Sequence, residues 1–428
     1  MGPSERYSKD TDEARLAQET SLGSEEGTSN TNPEEEFPEG GSRAWSVALG
    51  NAGVMFCTLG YVNSWGYYEQ FQLRDENPSS VAWIGSLQAF FIFSGGLFGG
   101  PLFDRYGAKV IYPAALTYIF SIFMTSICNE FYQFMLAQGI LCGLANGFTM
   151  SPSMAATPQY FNKKRGAAVG LAIAGSSLGG VALPIILDQL LNHTKLGFGW
   201  SIRILGFIML GILSPACIAI KARLPPRKSQ FLLPSAFKQP SYTMLIISTF
   251  FLFLGMFPAM FYLPTYAISQ GMSPTLAFYI VSIFNAASFP GRVLPAILSD
   301  RVGRLNTLCT AGISSGTIGL CWQRVQGNAG IIVFAAVFGF CTGAIISGFA
   351  IPLASCAKDP KNIGTYMGMG MAVGSIAALI GPPISGMLYD RYHGFDQVSI
   401  FCGVTCLFGG FLALVVKRLA GHALLSKA

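Results

Sequence analysis

The sequence predicts an all-α integral membrane protein whose twelve transmembrane helices form two parallel-repeat six-helix bundles. Three observations carry this reading. Hydrophobic residues make up 51% of the 428 and charged residues only 11%, whereas soluble domains are roughly a quarter charged, so a water-facing surface cannot be furnished. The apolar residues gather into twelve segments, each near the ~20 residues that a membrane-crossing helix needs. Landmarks of the first half also recur in the second: Gly139, Gly143 and Pro152 return 200 residues on as Gly339, Gly343 and Pro352, and Gly175 and Pro184 return 199 on as Gly374 and Pro383.

Residues 1–43 hold eleven of the 21 acids and four of the 27 bases, a local net charge of −7 that leaves +13 for the rest. This stretch, rich in Glu, Ser, Thr, Gly and Pro, cannot bury a core and reads as a disordered acidic cytosolic tail. It has no basic region followed by an apolar one, so it is not a cleaved signal peptide. A regulatory or sorting role and a plain solvated leader both stay open. The apolar segments follow at 44–67, 82–103, 109–128, 131–157, 166–190, 198–221, 242–267, 274–298, 305–323, 329–356, 364–388 and 397–416. They group into bundles at 44–221 and 241–418, joined by a cytosolic linker at 222–240 that holds Pro225, Pro226 and a cluster of cations, with a short cytosolic tail at 419–428.

Every second loop is basic: Arg105 and Lys109, Lys163 to Arg165, Lys221 to Lys238, Arg301 and Arg304, Lys358 and Lys361, then Lys417 and Arg418. The alternate loops carry only Arg74, Lys195, Arg324 and Arg391. The bias of Lys and Arg toward the cytosol places both termini there, in a multi-pass protein expected at the plasma membrane. Asn192-His193-Thr194 is the one N-x-S/T sequon and falls on the expected outside, making Asn192 a candidate glycosylation site.

Glycine pairs such as Gly95-Gly96 with Gly99-Gly100, and Gly175 with Gly179 and Gly180, let helix backbones approach closely. Pro152 and Pro352 each remove an intrahelical hydrogen bond, and hinge-like kinks are expected at both.

An apolar helix runs from Gly99 into Asp104, Arg105, Gly107 and Lys109, and the order returns as Asp300, Arg301, Gly303 and Arg304. This repeated turn resembles the loop between the second and third helices of major facilitator superfamily transporters. The resemblance implies that these eight residues gate a transport pathway within the major facilitator fold. Ala296 stands where that pattern has glycine, which implies looser helix packing there. Two further stretches, Pro38-Glu39-Gly40-Gly41-Ser42-Arg43-Ala44-Trp45 and Tyr160-Phe161-Asn162-Lys163-Lys164-Arg165-Gly166, resemble signatures of the monocarboxylate porter family in its fungal version. That likeness covers about residues 38–418 and implies that both stretches couple to conformational change. By charge alone, Lys163 to Arg165 read equally as orientation signals.

A duplicated six-plus-six architecture sets the substrate site near the midplane between the halves, with access alternating as one half rocks on the other. Buried polar groups carry the chemistry there, because an ionisable side chain inside a bilayer is costly. Arg292 lies about six residues inside the eighth segment, roughly 9 Å deep at 1.5 Å per residue, as an anchor for an anionic substrate group or as a structural cation. Arg203 reads as a snorkelling charge. Members handling lactate place an acid and a lysine where Ser288 and Asn63 stand here, and His193, His393 and His422 all fall outside the segments. The remaining cavity candidates are Asn63, Tyr67, Asn146, Tyr262, Tyr266, Asn285 and Arg292, a set suited to a partly apolar organic molecule.

The expected function is secondary active transport of a small organic acid or secondary metabolite, with efflux as one direction. Uptake of a vitamin or nutrient, and nutrient sensing through the acidic tail, are the alternatives. No catalytic arrangement, phosphate loop or metal-ligand spacing appears, so neither an enzyme nor an ATP-driven pump is expected, and no cofactor. The ten cysteines form no CxxC pair. Expected partners are a small organic substrate and the bilayer, with protons as an open coupling ion, no nucleic acid, and a monomer sufficient. Cysteines placed at Asn192 and Lys195 should label from outside the cell and one at Lys163 should not, and any glycan should vanish in Asn192→Gln; the inverse labelling would reverse the orientation.

Overall fold

The computed structural model describes residues 38–62, 72–73, 78–161, 163–226, 230–357 and 362–420. The first half contains α1 (Gly41–Val62), α2 (Pro78–Ser94, continuing as Gly96–Tyr106), α3 (Ile111–Thr125), α4 (Phe131–Phe134, Met135–Cys142 and Gly143–Ala156), α5 (Arg165–Asn192) and α6 (Gly197–Ala219). The second contains α7 (Pro240–Ser269), α8 (Pro274–Val302), α9 (Arg304–Cys321), α10 (Gly327–Gly348, then Ala350–Ser355), α11 (Ile363–Tyr392) and α12 (Asp396–Leu419). Each coincides with one apolar segment of the sequence.

Among the described residues ten stretches are long and apolar enough to cross a membrane, and one of them, Ser80–Thr125, runs through α2 and α3. The remaining helix, α9, is more polar, but its threonines return their hydroxyls to the backbone one turn back, Thr310 to Asn306 O at 2.9 Å and Thr317 to Ile313 O at 2.9 Å. Such internal satisfaction is what a lipid environment demands of polar atoms. Helix starts follow local chemistry. Ser273 Oγ accepts the Leu276 amide at the head of α8, where Pro274 occupies the first turn, and Glu130 with Gln133 forms a reciprocal capping box at the start of α4.

The halves pack as repeats. In the first, α1 lies on α5, α2 on α4 and α3 on α6; in the second, α7 lies on α11, α8 on α10 and α9 on α12. The two most extensive contacts between the halves are α5 with α8 and its counterpart α11 with α2. The recurring glycines are one contact made twice. A Cβ on Gly143 would meet the α2 backbone at Gln88 at 3.1 Å, and one on Gly343 would meet the α8 backbone at Ser288 at 2.7 Å. Likewise Gly175 abuts Ala52 of α1 while Gly374 abuts Phe253 of α7.

The proline expectation divides. Near Pro352 the helix breaks between Gly348 and Ala350, as the missing amide hydrogen bond predicts. At Pro152 α4 stays continuous, and its irregularity lies instead in a π-helix at Met135–Cys142. That stretch contains no proline, so none marks it in the sequence.

The linker is fastened to both halves. Arg223 gives its amide to Gln159 Oε1 at 2.9 Å and its guanidinium to Gln159 O at 2.9 Å, while Thr365 Oγ1 of α11 donates to Gln230 O at 2.7 Å. Because a side chain at Gly175 or Gly179 would overlap the α1 backbone at Ala52 or Phe56, Gly175→Val and Gly179→Val should each cost about 1–3 kcal/mol or more by overpacking. Gly211, with nothing within 4 Å of its Cβ position, should accept valine; thermal unfolding and size-exclusion profiles in detergent compare the three.

Candidate functional site

Helix five begins with amides that no helical carbonyl can accept from, a state every helix start shares. Here two carboxylates serve them. Glu39, in the lead-in to α1, accepts from the Lys163 amide at 2.6 Å and the Lys164 amide at 3.2 Å. Asp300, at the end of α8 in the opposite half, accepts from the Gly166 amide at 3.2 Å and the Ala167 amide at 3.3 Å. Negative charge at a helix N-terminus also meets the positive end of its dipole. The two stretches that resemble the porter signatures therefore touch, through this contact and through Trp45 against Phe161 at 5.1 Å between ring centroids. Glu39 holds φ +51°, a left-handed backbone that costs ~1–3 kcal/mol in a residue with a side chain and that aims its carboxylate at α5.

Asp104 occupies the equivalent place in the first half. It is buried, and its Oδ2 lies 3.3 Å from where a Cβ on Gly364 would sit, in the first turn of α11. Gly107 and Gly303 have φ of +66° and +112°, which explains why the repeated turns need glycine. Of the cations, Arg304 donates to Ser355 Oγ at 2.7 Å at the end of α10, Arg105 stacks on Tyr106, and Lys109 and Arg301 are exposed. A cavity of about 370 Å³ opens beside Asp104, Gln159 and Arg223. Ala296 corrects an expectation: its packing is tight, because Gly166 and Gly170 of α5 leave room for its extra methyl group.

Along the α5–α8 seam stands Arg292, 5% exposed. Its Nε donates to Ser288 Oγ at 3.1 Å, and Nη1 donates to Ile173 O at 3.2 Å and to Ser176 Oγ. All three acceptors are neutral. Two turns away, Asn285 donates to Val281 O at 2.9 Å and presses on Gly180, whose Cβ position lies 2.6 Å from the amide oxygen. Asn285 and Arg292 thus share one face of α8 against α5. At the far end of the seam Tyr279 Oη donates to Asp188 Oδ2 at 2.9 Å.

The remaining candidates do not join them. Asn146 is fully buried inside the first half, its Nδ2 toward Cys142 Sγ at 3.8 Å, in a cluster with Gln88 and Gln138 around the π-helix. Its Oδ1 has no hydrogen-bond partner among the described residues. Tyr266 departs from a cavity role: its hydroxyl donates to Val325 O, and its ring packs on Trp322 and Phe395, so it ties loop turns together. Tyr262 is buried on α7, and Asn63 and Tyr67 lie outside the described residues. Asn192 is exposed and donates to Asp188 Oδ1 at 2.7 Å. Arg203 donates to Ser126 Oγ at 3.2 Å and lies over the Trp200 ring. Sequence reasoning passed over Glu39 as a cap and Asp188 altogether, although Asp188 is visible as an acid inside the fifth apolar segment.

The profile of the Major Facilitator Superfamily matches residues 47–355 and 296–426. The aspyridones efflux protein apdF of Emericella nidulans is 52% identical over 393 residues, covering 91% of this chain and 80% of that protein. The agnestins efflux protein AgnL12 of Paecilomyces divaricatus is 39% identical over 420 residues, covering 96% and 95%. Among solved structures, the human organic anion transporter MFSD10 (TETRAN) superposes with a TM-score of 0.68 at 15% identity, over 87% of this chain and 100% of that one, a likeness of fold. Glu39→Ala and Asp300→Ala should each lower stability by about 0.5–2 kcal/mol, the cost of losing a helix cap; melting points left unchanged in both would remove the carboxylates from that role.

Proposed function

This chain belongs to the major facilitator superfamily, and from that premise we propose that its cargo is an organic acid of the secondary-metabolite class, exported across the plasma membrane. The chain is a multi-pass membrane transporter and not an enzyme. Two relatives are named for efflux, of aspyridones and of agnestins, and we extend that direction and class to this protein. Within the superfamily we assign it to the monocarboxylate-porter-like branch of fungal type, with the basic loops and both termini in the cytosol. The halves would rock about the α5–α8 and α2–α11 contacts, with Asp104 and Asp300 and their neighbouring cations as the cytosolic gate.

One observation carries the anionic cargo. Arg292 is buried between the halves, and its hydrogen bonds all go to neutral oxygens of Ser288, Ile173 and Ser176. A guanidinium keeps its charge in protein interiors and has five donors in a planar fork. Three bonds leave donors over, and a carboxylate entering the seam matches them in geometry and charge. Asn285, on the same face of α8, supplies a neutral amide for a second polar group of the cargo.

If Arg292 anchors the acid, its removal leaves that group desolvated and unpaired, a loss of about 2–5 kcal/mol in binding. Arg292→Lys should bind weakly and Arg292→Gln barely at all. Transport into sealed vesicles should be compared for a carboxylic acid and its neutral amide. Wild type should favour the acid and Arg292→Gln should lose that preference; equal ranking of the pair by both proteins would make Arg292 structural.

A further inference from the structure

The rocking mechanism leaves one part of the chain idle, the second half of the linker. Its Phe231, Leu232 and Phe237 are large, apolar and exposed, Leu232 to 57%, in a stretch expected to lie in the cytosol. An apolar patch of this kind is made for a partner. The contacts beneath it identify the partner.

On α11, Gly364 and Gly368 meet α2, Tyr366 meets Tyr242 of α7 at 4.8 Å between ring centroids, and Met367 and Met371 adjoin Ser151 of α4. Thr365 and Met369 take the flank left over, and the linker covers it: Thr365 Oγ1 donates to Gln230 O at 2.7 Å, and the Leu233 amide donates to Met369 Sδ at 3.4 Å. On α2, Gly95 and Gly99 meet α4 while Gly96 and Gly100 meet α11, which leaves Phe98 on the outer side, half exposed. Phe231 lies against it at 6.3 Å between ring centroids. The linker thus runs outside the α2–α11 seam, on the flank where the bundle meets lipid. Its level follows from the helix rise. Phe98 is seven residues before Arg105 in the last turn of α2, and Met369 is six residues past the first residue of α11, so both touch points lie roughly 10 Å inside the helix ends at 1.5 Å per residue.

The backbone of this stretch suits a medium without water. The Ala236 amide donates to Leu233 O at 2.9 Å, the Gln239 amide donates to Ala236 O at 3.0 Å, and Thr243 Oγ1 donates to Phe237 O at 2.7 Å. Polar groups met internally beneath exposed apolar side chains are what the edge of the hydrocarbon requires. Cations stand at the borders. Lys238 is exposed directly after Phe237, and Arg227 and Lys228 precede the stretch in sequence. Basic groups in that position are drawn to the anionic headgroups of the cytosolic leaflet.

We propose that residues 231–237 anchor the linker in the leaflet on the basic side of the protein, with Phe231, Leu232 and Phe237 among the acyl chains and Lys238, Arg227 and Lys228 on anionic phospholipid headgroups. The bilayer is then a binding partner of the linker itself, whatever the cargo. Because the anchored stretch crosses the α2–α11 seam from outside, parting that seam drags the anchor through lipid. The anionic lipid content of the leaflet thereby sets how readily the seam opens.

Spin labels on the full-length protein in lipid nanodiscs, in a Cys321→Ser, Cys356→Ser background, test the depth. Collisions are compared between oxygen, which partitions into lipid, and a nickel chelate confined to water. A label on Leu232→Cys should favour oxygen, as one on Phe98→Cys does, whereas one on the exposed Lys221→Cys should favour nickel. Hydrogen–deuterium exchange of unlabelled wild type at residues 230–239 tests the headgroups, and should slow when phosphatidylserine is added to phosphatidylcholine discs. Lys228→Glu with Lys238→Glu should lose that slowing, and Phe231→Ser with Leu232→Ser should exchange faster in both lipids. A label at 232 as open to nickel as the one at 221, or wild-type exchange equal in the two lipids, would overturn the proposal. The exchange of wild type carries the test if a variant does not fold. A protein that passes both tests yet moves no organic acid in vesicles would sink the export reading and leave the anchor standing.

Discussion

The start of helix five is the constraint on which the rest depends. Its first amides have no partner within the helix, and an unmet donor at the edge of a bilayer is expensive. One carboxylate from each half meets that need, Glu39 from the lead-in to α1 and Asp300 from the end of α8. The glycines beneath follow from it. Once α8 is fixed at the head of α5, the helices descend side by side, and Gly166, Gly170 and Gly180 give the room that Asp300, Ala296 and Asn285 require. Arg292 lies on that same line, which places a buried charge at the boundary the two halves share.

The two seams that join the halves are related by the repeat but differ in chemistry. Along α5 and α8 the contacts are polar: Asp300 on backbone amides, Arg292 on serines and a carbonyl, Tyr279 on Asp188. Along α2 and α11 they are glycine against glycine, Gly96 near Gly368 and Gly100 near Gly364, with Met367 and Met371 beside them. Directional bonds define a register and break at a cost, whereas thioethers and bare backbone slide and refill. A rocking motion thus has one seam that keys it and one that accommodates it.

The twelve helices were legible because lipid forces long apolar runs and because a duplicated chain repeats its own packing glycines. Gly143 and Gly343 align in sequence for the same reason they align in space, each lying against the neighbouring helix backbone. Arg292 stood out since few cations lie that deep. What the sequence hides is direction. Tyr266 and Tyr262 occupy similar positions on α7 as letters, yet Tyr266 is claimed by Trp322 and Phe395, which turns distant in sequence bring to it. Asn146 falls on the fourth segment like a cavity residue, but its face of α4 turns toward Gln88 and Gln138 inside its own half. Glu39 shows the converse, an acid in a charged lead-in whose partner, the head of α5, is 124 residues away.

The linker that joins the halves has a mechanical meaning. It is pinned at Arg223 to the end of α4 and at Gln230 to the start of α11, with seven residue steps between the pins. A chain segment of that size reaches about 25 Å when fully drawn out. The strap is therefore a travel stop. While the pins at Arg223 and Gln230 hold, the gap between α4 and α11 can widen only until the strap is taut, so the bulk of a molecule admitted there is limited by chain length together with those few hydrogen bonds.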